Sequence, residues 1–404
     1  MLPMLYGPTA LERAMRIREV MLRAMSGEIN WIQASDILGM DPRSLRRWKA
    51  RFESHGYDGL LDRRRGRPSG RRTPAAELER VLRLYRDTYT GFNVRHFHQI
   101  AQREHAVTLS YTTVKTALQA AGLVRRRRSR GRHRRRREPK ACRGEMLHLD
   151  GSPHAWLALC PDEKQTLIAL VDDATSELLY GRIEESESTD TVMAGLKAVF
   201  EQEGLPMTLY TDRASWAAIT RRAGEAPDPT MRTQVGRALD RLGIEHIRAR
   251  SPQARGRSER ANRTLQDRLV NELRVAGIRT VVDANRYLEE RFRPEYNRLF
   301  ARPARDPASA FVGLGGVDLN QVLCHEHERV VGKDNTVVLE KVRLQIAKQR
   351  GRRSCEGMRV LVRRHLDASH TVWRAEQCLG RFDRDGNPLP LLRAPTPSGV
   401  GEAA

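Results

Sequence analysis

The sequence predicts a multidomain protein: α-helical units of helix-turn-helix type come first, then an α/β core with a mixed sheet, then a small basic β-barrel. Three observations carry this. Helical periodicity fills residues up to Leu123, the segment Arg125–Arg137 interrupts it with ten arginines and no acid, and short β-prone runs dominate the chain beyond that segment. The 404 residues leave room for several domains at about 100–200 residues each.

The charge points to a partner class. Lys and Arg number 72 against 50 Asp and Glu, a net +22, and the arginine run alone supplies +10 of it. Each cation near a phosphate releases condensed counterions, so a polyanion is favoured and nucleic acid leads; a solvated basic surface without such a role is the alternative. No apolar run approaches the ~20 residues needed to span a bilayer, and the N-terminus lacks a basic-then-apolar leader. The expectation is a soluble, cytoplasmic, nucleoid-associated protein with no membrane role. The five cysteines, Cys142, Cys160, Cys324, Cys355 and Cys378, are scattered and form no C-x-x-C pair. That argues against a disulfide framework and a thiolate zinc site, and fits a reducing compartment.

Residues 1–62 form the first helical unit. Thr9 is a candidate N-cap before LERAMRIREVMLRAM, and Gly27 closes that stretch. Ile32, Ala34, Ile37 and Leu38 mark a short helix, Gly39 a turn, and Asp41-Pro42 an N-cap with proline at the first helical position. In the next helix Leu45, Trp48 and Phe52 share one face, leaving Arg43, Ser44, Arg46, Arg47, Lys49 and Arg51 open to DNA. Residues 63–73 are a basic linker. Residues 74–124 repeat the three-helix pattern, with Ser110 capping the third helix, Val94, Phe97, Ile100 and Ala101 facing a core, and Val114, Ala117 and Leu118 joining them. His96, His98 and His105 have no neighbouring cysteines and are not expected to hold zinc.

Residues 125–140 are an arginine-rich arm, in which Arg125, Arg126, Arg127 and Arg128 are candidate phosphate contacts. From 141 to 312 the period changes: strand, strand, strand, strand, helix (Asp190–Glu203), strand, with two more helices near Pro229–Leu242 and Ala254–Val275. Residues 317–393 alternate apolar and polar side chains and predict the β-barrel.

Three carboxylates fall where such a core collects chemistry. Asp150 ends the strand MLHLD, Asp212 ends MTLYTD, and Glu259 lies on the helix after Ser251-Pro252-Gln253. Brought together, three hard oxygen donors can hold two Mg2+ ions about 3.5–4 Å apart for in-line phosphoryl transfer, with a DNA phosphodiester as the matching substrate. On the Glu259 helix, Asn262, Arg263 and Gln266 share its face, while Leu265, Leu269 and Leu273 form a separate apolar stripe, so the helix is expected to bury its leucines and present Glu259 with a polar, cationic strip to DNA. Arg255, Arg257 and Arg260 crowd the helix start, where positive charge opposes the macrodipole, so phosphate contacts are expected there.

LHLDGSPHAWL, LYTDRASW and SPQARGRSERANRTLQDRL resemble the three signature segments of bacterial insertion-sequence transposases of the D-D-E retroviral-integrase superfamily. The resemblance covers nearly the whole chain and is nearest to the branch with paired N-terminal helix-turn-helix domains and a C-terminal β-barrel. It implies a ribonuclease-H-like catalytic core at 141–312, a metal-binding triad of Asp150, Asp212 and Glu259, and two Mg2+ ions, with Mn2+ as a substitute. It also implies an enzyme that binds double-stranded DNA at its element's terminal inverted repeats, cleaves there and joins the 3′-OH ends to target DNA, acting as a homodimer or higher assembly. Two features depart from the pattern. Forty-six residues separate Asp212 from Glu259, longer than the family's usual spacing, and the excess coincides with the predicted helix around Pro229–Leu242. Gln266 stands where many relatives carry lysine, and Arg263 is the cation one turn earlier.

Asp172 and Asp173 are expected to fix a turn rather than bind metal; Glu245 lacks the helical polar strip, and Trp156 and Trp216 are expected to pack. Cys324-His325-Glu326-His327 is too contiguous to be a favoured metal cluster. Two rival readings stay open, a non-catalytic helix-turn-helix regulator or domesticated transposase, and a nuclease that cuts without joining.

Overall fold

The computed structural model describes residues 8–61, 73–126, 138–212, 214–217, 232–249 and 258–391, which fall into two compact units, Met1–Arg80 and Val81–Ala404. Most of the basic linker and the arginine-rich arm lie outside the described residues, as do Arg127 and Arg128.

The first unit packs α1 (Pro8–Met25), α2 (Trp31–Leu38) and α3 (Pro42–His55) around Ile17, Met21, Ala34, Leu45 and Leu60. The turn between the last two helices is built as its sequence requires. Asn30 and Gln33 make a reciprocal capping box at the start of α2, Gly39 ends it in the left-handed region, and Asp41 accepts from Ser44 N at 3.2 Å with Pro42 following. One expectation changes. The first helix already runs from Pro8, so Thr9 lies inside it. Ile32 and Ile37 face outward, at 70% and 41% exposure, because the short helix buries only its Ala34 side against the bundle.

The helix α4 (Ala75–Asp87) leads into α5 (Val94–His105) and α6 (Tyr111–Ala120). Their core holds Val81, Tyr85, Phe97, Ile100, Val114 and Leu118, and Ser110 caps α6 through Thr113 N at 3.2 Å.

The central sheet has five strands in the order β3-β2-β1-β4-β5: β1 (Met146–His154), β2 (Gln165–Asp172), β3 (Leu178–Glu184), β4 (Thr208–Thr211) and β5 (Glu245–Arg248). The first three are antiparallel, while β4 runs parallel to both β1 and β5. This is the mixed α/β core expected, with one strand fewer before the helix. On one face of the sheet lie α7 (Thr189–Glu203) and α8 (Gln234–Arg241), which bring Val192, Leu196, Phe200, Val235 and Leu239 onto Leu147, Leu149 and Leu209. α8 is part of this core.

On the other face lie α9 (Ser258–Val275), α10 (Val281–Tyr287) and α11 (Arg293–Phe300), the last two joined by a π-helical turn at Leu288–Phe292. Leu265, Leu269 and Leu273 are fully buried there against Leu167, Ala169, Leu178 and Ile183, each contributing about 1.5–3 kcal/mol. The outer side of α9 carries the second helical bundle: His96 Nε2 lies 2.7 Å from Glu272 Oε1, Arg268 donates to Gln99 at 2.8 Å, Arg274 donates to Thr90 O at 2.7 Å, and Asn93 donates to Asp267.

The C-terminal strands are β6 (His325–Val330), β7 (Thr336–Leu339), β8 (Val342–Gln345), β9 (Arg359–Arg364), β10 (His370–Arg374), β11 (Gln377–Phe382) and β12 (Pro388–Leu389). They form an antiparallel sheet β12-β11-β10-β9-β6 and a β7-β8 hairpin, sharing a core of Val337, Leu344, Val362, Val372 and Phe382. The small all-β unit is present. No strand pairing closes it into a barrel among the described residues, since hairpin and sheet meet through side chains instead.

Candidate active site

β1 has two chemically different faces. Leu147 and Leu149 enter the core under α7, whereas His148, Asp150 and Ser152, all at most 5% exposed, alternate onto the face beneath α9. Buried polar groups on a central strand need partners, and α9 and a neighbouring turn supply them.

Asn262 Nδ2 donates to Asp150 Oδ2 at 2.7 Å, and Gln266 Nε2 donates to Ser152 Oγ at 2.9 Å. The match is geometric: four helical residues rise about 6 Å and two strand residues about 6.6 Å, so Asn262 and Gln266 make successive rungs onto Asp150 and Ser152. Both side chains thus face β1, not solvent, which corrects the expectation that they front DNA. Glu259 stands one turn before Asn262, and side chains at that spacing have Cβ atoms about 5–6 Å apart. Its own side chain is exposed.

The second aspartate arrives by strand register. β1 and β4 pair as Met146↔Thr208, Leu147↔Leu209 and His148↔Tyr210; Asp150 and Asp212 lie two residues further along each strand at the same offset. β1 runs on to His154, so Asp150 sits in mid-strand rather than ending it as expected, while Asp212 directly follows β4; the two strands are neighbours about 4.8 Å apart. Asp212 Oδ1 accepts from Ala214 N at 2.9 Å, turning the chain away from the sheet.

The donor chemistry fits a hard divalent ion: Asp150 and Asp212 offer carboxylate oxygens from neighbouring strands, and Asp150 takes a neutral amide from α9. Among the described residues no three His, Cys, Asp or Glu groups stand close enough together to hold a metal.

The remaining candidates separate. Arg260 and Arg263 are exposed on α9, whereas Arg255, Arg257 and Ser251-Pro252-Gln253 lie outside the described residues. On α3, Arg43, Arg46, Arg47 and Arg51 are exposed; Lys49 instead lies 4.9 Å over the Trp31 ring and 3.6 Å from Glu53. Ser44 supplies a capped backbone amide, and Arg125 and Arg126 are exposed beyond α6. Asp172 fixes its turn by accepting from Thr175 N and Oγ1 at 2.8 and 2.9 Å, and Asp173 Oδ1 lies 2.7 Å from His148 Nε2. Glu245 accepts from Thr208 Oγ1 at 3.2 Å. Trp156 and Trp216 are core residues. In the CHEH run, Glu326 pairs with Arg363 at 2.9 Å and His325 with Asp190 at 3.0 Å.

Three residues escape sequence reasoning. His148 and Ser152 flank Asp150 at strand period, so a polar alternation in HLDGS was their signal. Glu187 accepts from Trp216 Nε1 at 2.7 Å, and its carboxylate lies where a side chain on Gly151 would point; no spacing in the sequence marks it.

Comparisons with known proteins bear on the family. The Helix-turn-helix domain model matches residues 18–69 and the Homeodomain-like domain model residues 44–118. The transposase for insertion sequence IS1202 of Streptococcus pneumoniae is 27% identical over 62% of this chain and 61% of its own length. The putative transposase y4bF of Sinorhizobium fredii (strain NBRC 101917 / NGR234) is 32% identical over 93% of this chain and 82% of its own. The chain belongs to the insertion-sequence transposases. In this transposase, helix-turn-helix matches cover α3 to α6 and most of the first unit, ahead of the mixed sheet. Among solved structures, the HTLV-2 integrase catalytic core domain in complex with magnesium (trimeric form) is similar over 36% of this chain and 85% of its own, at 14% identity and a TM-score of 0.27. The simian T-cell lymphotropic virus intasome in complex with PP2A regulatory subunit B56 gamma covers 72% and 91%, at 13% and 0.32. Among the described residues no helix is long and apolar enough to cross a membrane.

Proposed function

We propose that this chain binds the ends of its own insertion sequence, cleaves them and joins the freed 3′-hydroxyls to target DNA. The observation that carries the reading is the Asn262–Asp150 hydrogen bond at 2.7 Å, which ties the Glu259 helix to Asp150 on a strand whose neighbour leads into Asp212. Asp150, Asp212 and Glu259 would hold two Mg2+ ions, or Mn2+ in their place. When bound, such ions activate an attacking oxygen and stabilise a leaving one.

The chain's own residues do the rest. Asn262 orients Asp150, Gln266 and the buried leucines fix α9 against the sheet, and Arg260 and Arg263 meet phosphates. Arg43, Arg46, Arg47 and Arg51 on α3 enter a major groove with Ser44 and Lys49 beside them. Arg125 to Arg128, with Arg255 and Arg257, grip the backbone of double-stranded DNA. Cleavage and joining use water and then the 3′-OH as nucleophiles, so no covalent protein–DNA intermediate forms. Holding two ends at once requires a homodimer or larger assembly on DNA, and the substrate places the protein at the nucleoid.

The test is a duplex carrying the element end, incubated with protein and Mg2+. Cleaved and joined products support the reading. Binding without cleavage supports a regulator, and cleavage without joining a nuclease.

A further inference from the structure

On the α7 side of the sheet, a second set of contacts holds the segment that follows Asp212. Glu187 immediately precedes Ser188, the N-cap of α7, and a reciprocal capping box fixes that backbone: Ser188 Oγ accepts from Thr191 N at 3.1 Å, and Ser188 N donates to Thr191 Oγ1 at 2.9 Å. From this anchor the half-buried Glu187 carboxylate rests against Gly151, where a Cβ would overlap it. Its Oε1 accepts from Trp216 Nε1 at 2.7 Å. The Trp216 ring is 4% exposed and packs in the cluster of Leu147 and Leu149. Between Asp212 and Trp216 the chain turns on two local bonds: Ala214 N donates to Asp212 Oδ1 at 2.9 Å, and Ala217 N donates to Ala214 O at 2.9 Å.

A buried indole N–H needs one acceptor, and a neutral one is enough: Trp156 Nε1 donates to the backbone carbonyl of Ser152 at 2.9 Å. A carboxylate in that role loses hydration, a cost offset by the shorter, stronger bond that an ionised acceptor makes. Here the bond runs from the loop between β3 and α7 to the segment beyond Asp212, so it fixes how that segment leaves β4 and where the Asp212 carboxylate points. We propose that Glu187 is a positioning residue for Asp212, acting through the Trp216 indole, and that Gly151 lacks a side chain so that the carboxylate can lie there. The two aspartates are then set from opposite faces of the sheet, Asp150 by Asn262 of α9 and Asp212 by Glu187 beside α7. The proposal rests on the reading of Asp150, Asp212 and Glu259 as holding divalent ions.

The test measures Mn2+ binding to the full-length protein without DNA by isothermal titration calorimetry, beside the ultraviolet resonance Raman band of the indole N–H. Glu187→Ala and Trp216→Phe are each expected to weaken Mn2+ binding about tenfold, the lower end of the range for groups that orient metal ligands. Because both remove the same bond, the double variant is expected to bind no more weakly than either single one. Glu187→Gln keeps an oxygen acceptor and is expected to restore affinity to within about threefold of the parent. The Raman contribution that Trp216→Phe removes is expected to move to a weaker hydrogen bond in Glu187→Ala. Gly151→Ala keeps both partners but displaces the carboxylate; it is expected to give the same Raman shift, and it carries the test should Trp216→Phe not fold. Parental Mn2+ affinity in Glu187→Ala, or a Glu187→Gln protein as weak as Glu187→Ala, overturns the proposal. The triad reading fails separately: an Asp212→Asn protein that binds Mn2+ as the parent does refutes the triad and with it this role, whereas loss of binding in Asp212→Asn with full binding in Glu187→Ala refutes the positioning role alone.

Discussion

The side-chain amide of Asn262 donates to the carboxylate of Asp150 across 2.7 Å, tying a helix to the middle of the central strand 112 residues earlier. An amide can orient a carboxylate without cancelling its charge. Asn262→Ala is therefore expected to keep the fold while lowering joining activity about 10–100-fold, the range typical of groups that orient metal ligands. Joining rates beside a circular-dichroism spectrum measure this; an unchanged rate would remove Asn262 from the account.

The leucine stripe of α9 carries stability instead. Leu269 is fully buried, so Leu269→Ala should leave a cavity and destabilise the second unit by about 2–5 kcal/mol. Urea unfolding checks it, and a loss below half a kilocalorie would mean that α9 is not held by this stripe.

Acid should loosen the second unit in a defined window. Burial, with help from the Arg248 charge, pushes the His246 imidazole down to about 4, and burial also lowers His96, His325 and His365. An unfolded histidine takes up its proton near pH 6.5, whereas the folded groups resist until lower pH. Stability is thus full above about 6.5 and falls as the pH drops toward about 4. Melting temperatures at fixed ionic strength between about pH 7.5 and 4.5 should decline, and His246→Gln should flatten the decline. A flat profile in the parent protein would contradict it.

DNA binding by α3 should be electrostatic. Arg47 is exposed there, so Arg47→Ala is expected to reduce the slope of log affinity against log salt by about one. Fluorescence anisotropy over a salt series measures it, and an unaltered slope would place Arg47 away from phosphates.

Much of this layout was legible because local rules and tertiary structure agree. Asn30, Gly39, Asp41 and Pro42 cap and turn the first bundle as their chemistry dictates, and the spacing of Leu265, Leu269 and Leu273 announced a buried stripe. Asp150 and Asp212 could be placed because each ends a short β-prone run. What failed depended on distant partners. Asp150 read as the end of its strand, yet β1 goes on pairing with β2 as far as His154. Asn262 and Gln266 seemed to front DNA because only the strand packed beneath α9 shows where they point. α10 and α11 have short, charged sequences whose burial comes from the sheet, and Glu187 comes from a loop whose neighbour Gly151 lies on another element. That the C-terminal strands make an open sheet and a separate hairpin depends on packing that alternation alone does not encode.

Asp150, Asp212 and Glu259 are proposed to act together in DNA joining, and one comparison tests that directly. The parent protein and the variants Asp150→Asn, Asp212→Asn and Glu259→Gln are each given a duplex carrying the element end, with Mg2+, and both binding and joined product are scored. Each variant is predicted to bind the duplex as the parent does and to yield no joined product above background; parental levels of joining by any one of them would contradict the shared role of the three carboxylates.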